Sequence, residues 1–555
     1  MHGPDSIADI TRQTDDAVSR NIAAGVALSE VLRTTLGPKG RDKMLVGDGT
    51  VVLTNDGASI VDRIDVESPA ANVVAGVARS QGGEVGDGST SAIVLAGALL
   101  KEAESLLEEG FHPTTVVTGY RTASRRARDT LADVASVADP EDRSVLRDVA
   151  AATITGRWDE ERSTFLADLS ARAYLAVRGD DGPRLGNVTV HGVPGAATTD
   201  SELLDGLVVD TDRSSTSLSD VPEPAPRRVT DARVAIVDDQ LTVREPDATS
   251  GYTFEDAEDL RRAQEFETDE YRRYERALTT RGVDVLFCQK SVDERLRARL
   301  AREGILVFER TRQDEVRKLE RATGASAVMR LEDLSAESVG RADAVVRTEL
   351  AGTEFVTVRE ASSSQVSLLL RGGTDHVVDE TERIVVDAVS LLATFEDRPR
   401  LVPGGGATEI ALARDLRSYA PTVAGREQFA VEAFADALER IPFTLAQNAG
   451  MDPIDALLEL RRRHDGGDGG VGVAADDGTI DDVTARGVSE PLRLKDRVVA
   501  NATDAAGFLL RIDEIIQTNK SPSSHGSEEG HDHDHSHAGG GLRSDPHGYP
   551  WAIGH

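Results

Sequence analysis

The sequence predicts a multidomain α+β fold in which both ends of the chain build one largely helical domain around an inserted α/β middle. Three observations carry this expectation. At 555 residues the chain is too long for a single hydrophobic core. Helical periodicity runs through residues 1–145 and returns from about residue 376. Between these stretches short β-rich runs alternate with helical ones, the pattern of an α/β domain. The apolar content of 39% suffices for globular folding, while aromatics at 4% leave Val, Leu, Ala and Ile to fill the cores.

The elements follow in order. Val18, Ile22, Val26, Leu28, Val31 and Leu32 recur at helical spacing over 15–36, and Gly37-Pro38 ends that helix. Lys43–Val46 and Val51–Thr54 read as strands joined by the turn Gly47-Asp48-Gly49. Helices are expected at 57–65, 69–83, 89–109 and 113–137. In the middle, 188–190, 207–209, 234–237, 283–288, 305–308 and 327–329 read as strands, with helices at 291–303 and 312–323. Residues 253–280 place Glu and Arg at helical spacing, which suits a solvated surface helix or a projecting arm. Further helices are expected at 407–417, 425–447 and 452–464. Residues 521–555, rich in His, Asp and Gly, cannot build a core and read as a disordered tail whose histidines could hold a transition metal weakly.

Composition narrows the function classes. The formal net charge is −34, and only seven lysines occur among 63 basic residues. Such a surface suits concentrated salt, where self-repulsion is screened, and argues against nucleic acid or an anionic membrane as partner. The one cysteine, Cys288, sits in an apolar run, so no disulfide framework is expected within the chain and a reducing, cytoplasmic setting is. Met1–Asp9 is polar and acidic, so no signal peptide is expected, and the longest apolar run is too short to span a bilayer.

The chemistry concentrates at Gly86-Asp87-Gly88-Ser89-Thr90-Ser91, just before the apolar run Ala92–Ala96. Glycines allow a tight turn and close backbone approach, and the open N–H groups of a following helix hold phosphate. Asp87 would repel a phosphate unless a divalent cation lies between them, so the stretch reads as a Mg–nucleotide loop. It lacks the pattern of a Walker A loop. The same six residues also suit a flexible turn capped by Ser89 or Thr90. Further candidates are Thr34–Gly40, a second loop with a lysine, the turn Thr54-Asn55-Asp56-Gly57, Asp387 on a helix, and Gly404-Gly405-Gly406-Ala407.

Taken together these stretches resemble a group II chaperonin subunit, the archaeal thermosome and eukaryotic cytosolic chaperonin family, of haloarchaeal type. The matching residues are Thr35–Leu45, Thr54–Ile60, Gly86–Ser91, Arg371–Thr374, Gly404–Ala407, Asn448–Asp455, Glu490–Arg493 and Leu510–Asp513, in the family's order over roughly residues 10–517. The resemblance implies an equatorial ATP-binding domain (1–146 and 402–520), an intermediate hinge domain (147–212 and 368–401) and an apical substrate-binding domain (213–367). A helical protrusion near 246–275 would serve as a built-in lid. It also implies an ATPase that folds non-native proteins inside a double ring of eight or nine subunits each, with ATP and Mg²⁺, and K⁺ as a further candidate.

Carried over by residue, the resemblance makes Asp87 the Mg²⁺ ligand and Asp387 the carboxylate that positions the attacking water, with Asp56 assisting at the γ-phosphate. Gly88, Ser89, Thr90 and Ser91 would hold phosphates, with Gly37 and Pro38 opposite. Gly405 and Gly406 would contact ribose and base, Glu490 would accept from ribose hydroxyls, and Lys495 would lie at the pocket rim. Gly156 and Arg157 would belong to the nucleotide-sensing loop. Two residues depart from the family pattern: Ser89 replaces a threonine, and Arg157 replaces a lysine, a planar fork in place of a point charge. Two other functions are compatible with these residues: a ring-assembly subunit with weak or no ATPase, and a metal-handling role through the His-rich tail.

Overall fold

The computed structural model describes residues 7–47, 50–154, 156, 158–179, 182–210, 227–242, 257–350, 353–359 and 365–512. The His-rich tail, Arg157 and the first part of the expected protrusion, 246–256, lie outside the described residues. The chain divides into two compact units, Met1–Trp158 with Thr394–His555, and Asp159–Ala393.

The first unit is mainly helical. Its centre is the helix Ser89–Glu108, whose Ala92, Ile93, Val94, Leu95, Ala96, Leu99 and Leu100 are all buried. A helix apolar on every side belongs in a core, and this one packs against Ile7–Arg33, Pro69–Val85, Glu427–Leu438 and Leu492–Leu509. Gly97 lets the first of these approach: a Cβ there would lie 2.2 Å from the Ser29 Cβ. Helix starts follow local chemistry. Pro69 and Pro113 each stand just inside a helix, behind Ser68 and His112, whose side chains accept from backbone N–H groups. Lys43–Gly47 and Thr50–Thr54 pair antiparallel, as the turn between them predicts. Three short strands, Ser489–Pro491, Arg400–Pro403 and Ser136–Val137, form one sheet and draw distant parts of the chain together.

The expected helix 425–447 is two helices, Glu427–Leu438 and Arg440–Asn448, divided at Glu439. Pro442 has no N–H to return to Leu438, which interrupts the ladder there. Buried Glu439 is fixed at the break by both Arg417 and Arg461.

In the second unit a six-stranded sheet has the order Leu306–Phe308, Val285–Cys288, Arg228–Val237, Gly340–Leu350, Thr353–Arg359, Leu207–Asp210. The first three strands run parallel and the rest antiparallel. Ile236, Phe287 and Phe308 lie in its core, the two rings stacked with centroids 5.0 Å apart. Val366–Gly372, Val188–Pro194 and Glu202–Asp205 make a smaller sheet. The strand expected at 327–329 makes only an isolated bridge, Val237 to Val328. Gly340–Leu350 and Thr353–Arg359 were not expected as strands. The charges of Arg341, Asp343, Arg347 and Glu349 obscure an alternation that buries Ala342 and Ala344. The charged helix Ala257–Thr279 buries Tyr271, Tyr274 and Leu278 against Leu296 and Leu300, while Phe266 stays half exposed. Cys288 is buried in its strand, and burial pushes its thiol up to about 12, so it is inert. Among the described residues no helix is long and apolar enough to cross a membrane.

Candidate nucleotide site

Gly86 and Gly88 both adopt positive φ, 85° and 83°, so the chain turns sharply out of one helix and into the next. Gly88 is the N-cap of Ser89–Glu108, and no side chain caps it. The first N–H groups of that helix therefore have no partner of their own within it, the arrangement that suits an anion. Asp87 sits between the glycines. Its Oδ1 accepts from the Gly88 N–H at 2.6 Å and its Oδ2 from the Thr153 hydroxyl at 2.9 Å. Buried Gln81 fixes the loop from behind, donating to the Asp87 carbonyl at 3.1 Å while its Oε1 accepts from Asn501.

Of the other predicted pieces of this unit, Asp56 and Gly57 lie against the loop, and the rest are held by supports of their own. Asp56 caps the helix Gly57–Arg63 through the Ser59 N–H at 2.7 Å, and its Oδ1 accepts from the Ser89 hydroxyl at 2.9 Å. The buried Ser89 hydroxyl is thus engaged with Asp56. Gly57 lies so close to Thr90 that a Cβ would meet its Oγ1 at 2.8 Å. Ser91 follows in the first helical turn. Gly37, with φ 79°, leaves no room beside Leu445, and Pro38 packs directly on Gly156. Asn448 donates to the carbonyls of Arg33 and Leu36, tying the loop 34–40 to the helix Arg440–Asn448. The same helix supports the glycine turn, because Gly406 abuts Pro442. Gly405 and Gly406 have φ 59° and 80°, and Gly406 is a second helix N-cap without a side-chain cap. A cleft of about 510 Å³, lined by Ala449, Gly450, Met451, Asp477 and Gly478, adjoins the C-terminal end of Arg440–Asn448.

Glu490 and Lys495 lie at the start of Leu492–Leu509. Lys495 is not at a rim: it is 4% exposed, with Nζ 2.8 Å from Glu409 Oε1 and 2.9 Å from Glu490 Oε2. Burial alone would lower its pKa, but the two carboxylates outweigh burial and raise it, so it stays charged. Burial raises the Glu490 carboxyl, with Glu409 and Asp87 adding to the shift and Lys495 opposing it.

Asp387 belongs to the second unit, on the helix Asp375–Asp397, where Arg383 donates to its Oδ2 at 2.8 Å and Glu380 holds the same guanidinium. Sequence reasoning missed Gln81, Thr153 and Glu409. Gln81 and Thr153 carry no local signal, since each becomes informative only through a partner far along the chain. Glu409 reads as an ordinary first-turn carboxylate. Among the described residues no group of three or more His, Cys, Asp or Glu gathers to hold a metal. A Mg²⁺ held by one carboxylate, phosphates and water fits that donor set.

The model of the TCP-1/cpn60 chaperonin family matches residues 28–520. Thermosome subunit alpha of Halobacterium salinarum is 43% identical over 504 residues, 90% of this chain and 88% of that protein. Thermosome subunit 1 of Haloferax volcanii is 42% identical over 529 residues, 95% of this chain and 93% of its own length. The thermosome subunit of Methanopyrus kandleri is 41% identical over 507 residues, 90% and 92% of the two chains. Likeness at this level over nearly the whole length, with the loop and its supports in place, means that the chain belongs to the TCP-1/cpn60 chaperonin family.

Proposed function

We propose that this protein is an ATP-hydrolysing subunit of a group II chaperonin, folding non-native proteins inside a double ring of eight or nine subunits each. The observation that carries the reading is the loop 86–91. An uncapped helix N-terminus, Asp87 and the Asp56–Ser89 bond meet there among glycines placed for close backbone approach. The N–H groups of Ser89, Thr90 and Ser91 bind the phosphates, with the loop at Gly37 and Pro38 opposite. Asp87 holds Mg²⁺, which, when bound, neutralises charge on the phosphate oxygens. Thr153 and the Gly88 N–H keep the Asp87 carboxylate oriented for that task. Asp56 acts at the γ-phosphate through Ser89, Glu490 accepts from the ribose, and Gly405 and Gly406 admit ribose and base.

Asp387 orients the attacking water. It lies in the other unit, so in this reading hydrolysis depends on that unit delivering it to the nucleotide. The domain layout follows: equatorial 1–146 and 402–520, intermediate 147–212 and 368–401, apical 213–367, with a protrusion near 246–275 as lid. The net charge of −34 supports a halophilic cytoplasm as the working environment. K⁺ is then the abundant monovalent cation, and neither nucleic acid nor membrane is a partner. The test is ATP turnover together with suppression of aggregation of a denatured protein in molar KCl. Both activities are expected, and the absence of both overturns the reading.

A further inference from the structure

Three charged side chains in the first unit lie behind the glycine turn rather than in it. Lys495 and Glu409 are buried, 4% and 2% exposed, whereas the Glu490 side chain is 21% exposed. Lys495 donates to Glu409 Oε1 at 2.8 Å and forms an ion pair with Glu490 Oε2 at 2.9 Å. The second oxygens differ. Glu409 Oε2 is buried without a partner among the described residues. Glu490 Oε1 accepts from no described residue and lies 3.2 Å from where a Cβ on Gly404 would stand. Glu490 is therefore gripped on one side and open on the side of the Gly404-Gly405-Gly406 turn.

Burying a lysine and a carboxylate, with a second carboxylate partly withdrawn from water, is costly, and apolar residues would fill the space at less expense. The arrangement makes sense if it delivers geometry. Composition points the same way. In a chain with seven lysines among 63 basic residues, this buried position keeps a lysine. A compact ammonium with three rotatable donors can bridge two carboxylates on different elements in a buried space too small for a planar guanidinium. Glu409 belongs to the helix Ala407–Tyr419, which starts at Gly406, and Glu490 to the strand paired with Arg400–Pro403. Lys495 thus locks Glu490 to the helix that carries the glycine turn. Asp87 acts on Glu490 as a second negative charge, while Arg400 bonds the carbonyls of Ala132 and Ala135, Arg493 pairs with Asp397, and Arg147 pairs with Asp148.

We infer that Lys495 and Glu409 are positioning residues that hold Glu490 Oε1 toward the ribose hydroxyls of the nucleotide, without touching the nucleotide themselves. This rests on the reading of Glu490 as the ribose acceptor. A hydrogen bond to a charged group is worth roughly ten- to a hundredfold in affinity. The assembled full-length protein should therefore prefer ATP over 2′,3′-dideoxy-ATP by at least about tenfold in KM.

The experiment measures that preference in the unaltered protein, Glu490→Ala, Lys495→Met, Glu409→Gln and the double variant Lys495→Met/Glu490→Ala. Glu490→Ala should abolish the preference, and Lys495→Met should reduce it to about twofold or less. The loss should fall on KM for ATP, with KM for the dideoxy nucleotide unmoved, and the double variant should lose nothing more than Glu490→Ala. General destabilisation would weaken both nucleotides alike, so the ratio reports position. If Glu490→Ala erases the preference and Lys495→Met keeps it, the inference is overturned while the ribose assignment stands. If Glu490→Ala keeps the preference, the ribose assignment itself falls. Should Lys495→Met fail to assemble, Glu409→Gln decides: a reduced preference supports the inference and an unchanged one overturns it.

Discussion

Gly156 joins two loops through backbone alone. Its φ is 89°, and a Cβ would lie 2.0 Å from the Pro38 carbonyl oxygen. An L side chain must therefore strain the backbone and push Pro38 away at once, a cost on the order of 1–3 kcal/mol for the conformation alone. Gly156→Ala should lower the thermal midpoint by several degrees and weaken ATP binding about tenfold or more. Calorimetry and nucleotide titration check it, and a variant with unaltered midpoint and affinity would contradict the account of this contact. At this scale the glycines were legible in the sequence, because a positive φ leaves few residue choices. Their supports were not. Gln81 and Asn501 are ordinary polar residues on helices until the fold places them together, and Lys495 cannot be read as buried without Glu409 beside it.

Helices proved more legible than strands. Ser68, Pro69, His112 and Pro113 announce helix starts, and Gly86 and Gly88 bound the loop between two others. The strand Gly340–Leu350 is hidden because its buried residues include small alanines and its intervening ones are charged, so neither hydropathy nor propensity stands out. The pair Val188–Pro194 and Val366–Gly372 holds a titratable group of consequence. His191 places its ring edge-on to Phe355, and its Nε2 is buried without a partner among the described residues. Burial, with Lys318 and Arg312 adding to it, pushes its pKa down to about 4. The folded state thus binds the proton less readily than the unfolded chain, whose histidines titrate near 6.5. Stability from this group is fully present above about pH 6.5 and is lost as the pH falls toward about 4, roughly 3 kcal/mol in all. His191→Gln should flatten that part of the unfolding profile. An acid limb of undiminished slope in the variant would remove His191 as its source.

The whole molecule carries a formal net charge of −34, and its self-repulsion acts on every folded and assembled state. At an ionic strength of 1 M the screening length falls to about 3 Å, short of most surface charge separations. The unfolding midpoint and the assembled fraction should both rise steeply between about 0.1 and about 2 M KCl, at about the same rate in chloride salts of other monovalent cations. Salt-independent stability would show that the acidic surface has another purpose. The nesting of the two ends around an inserted middle was readable as an order of textures, helical, mixed, helical. It holds because Ser136–Val137, Arg400–Pro403 and Ser489–Pro491 must pair in one sheet. Where one unit ends and the next begins was not readable, since the helix Asp375–Asp397 runs through the boundary without a break in its periodicity. The central claim is that hydrolysis awaits a carboxylate from the other unit. The measurement that tests it most directly is single-turnover ATP hydrolysis by the assembled Asp387→Ala variant, with nucleotide binding followed in parallel. The account predicts unchanged binding and a hydrolysis rate lowered by about a hundredfold or more. Hydrolysis at the unaltered rate would contradict it.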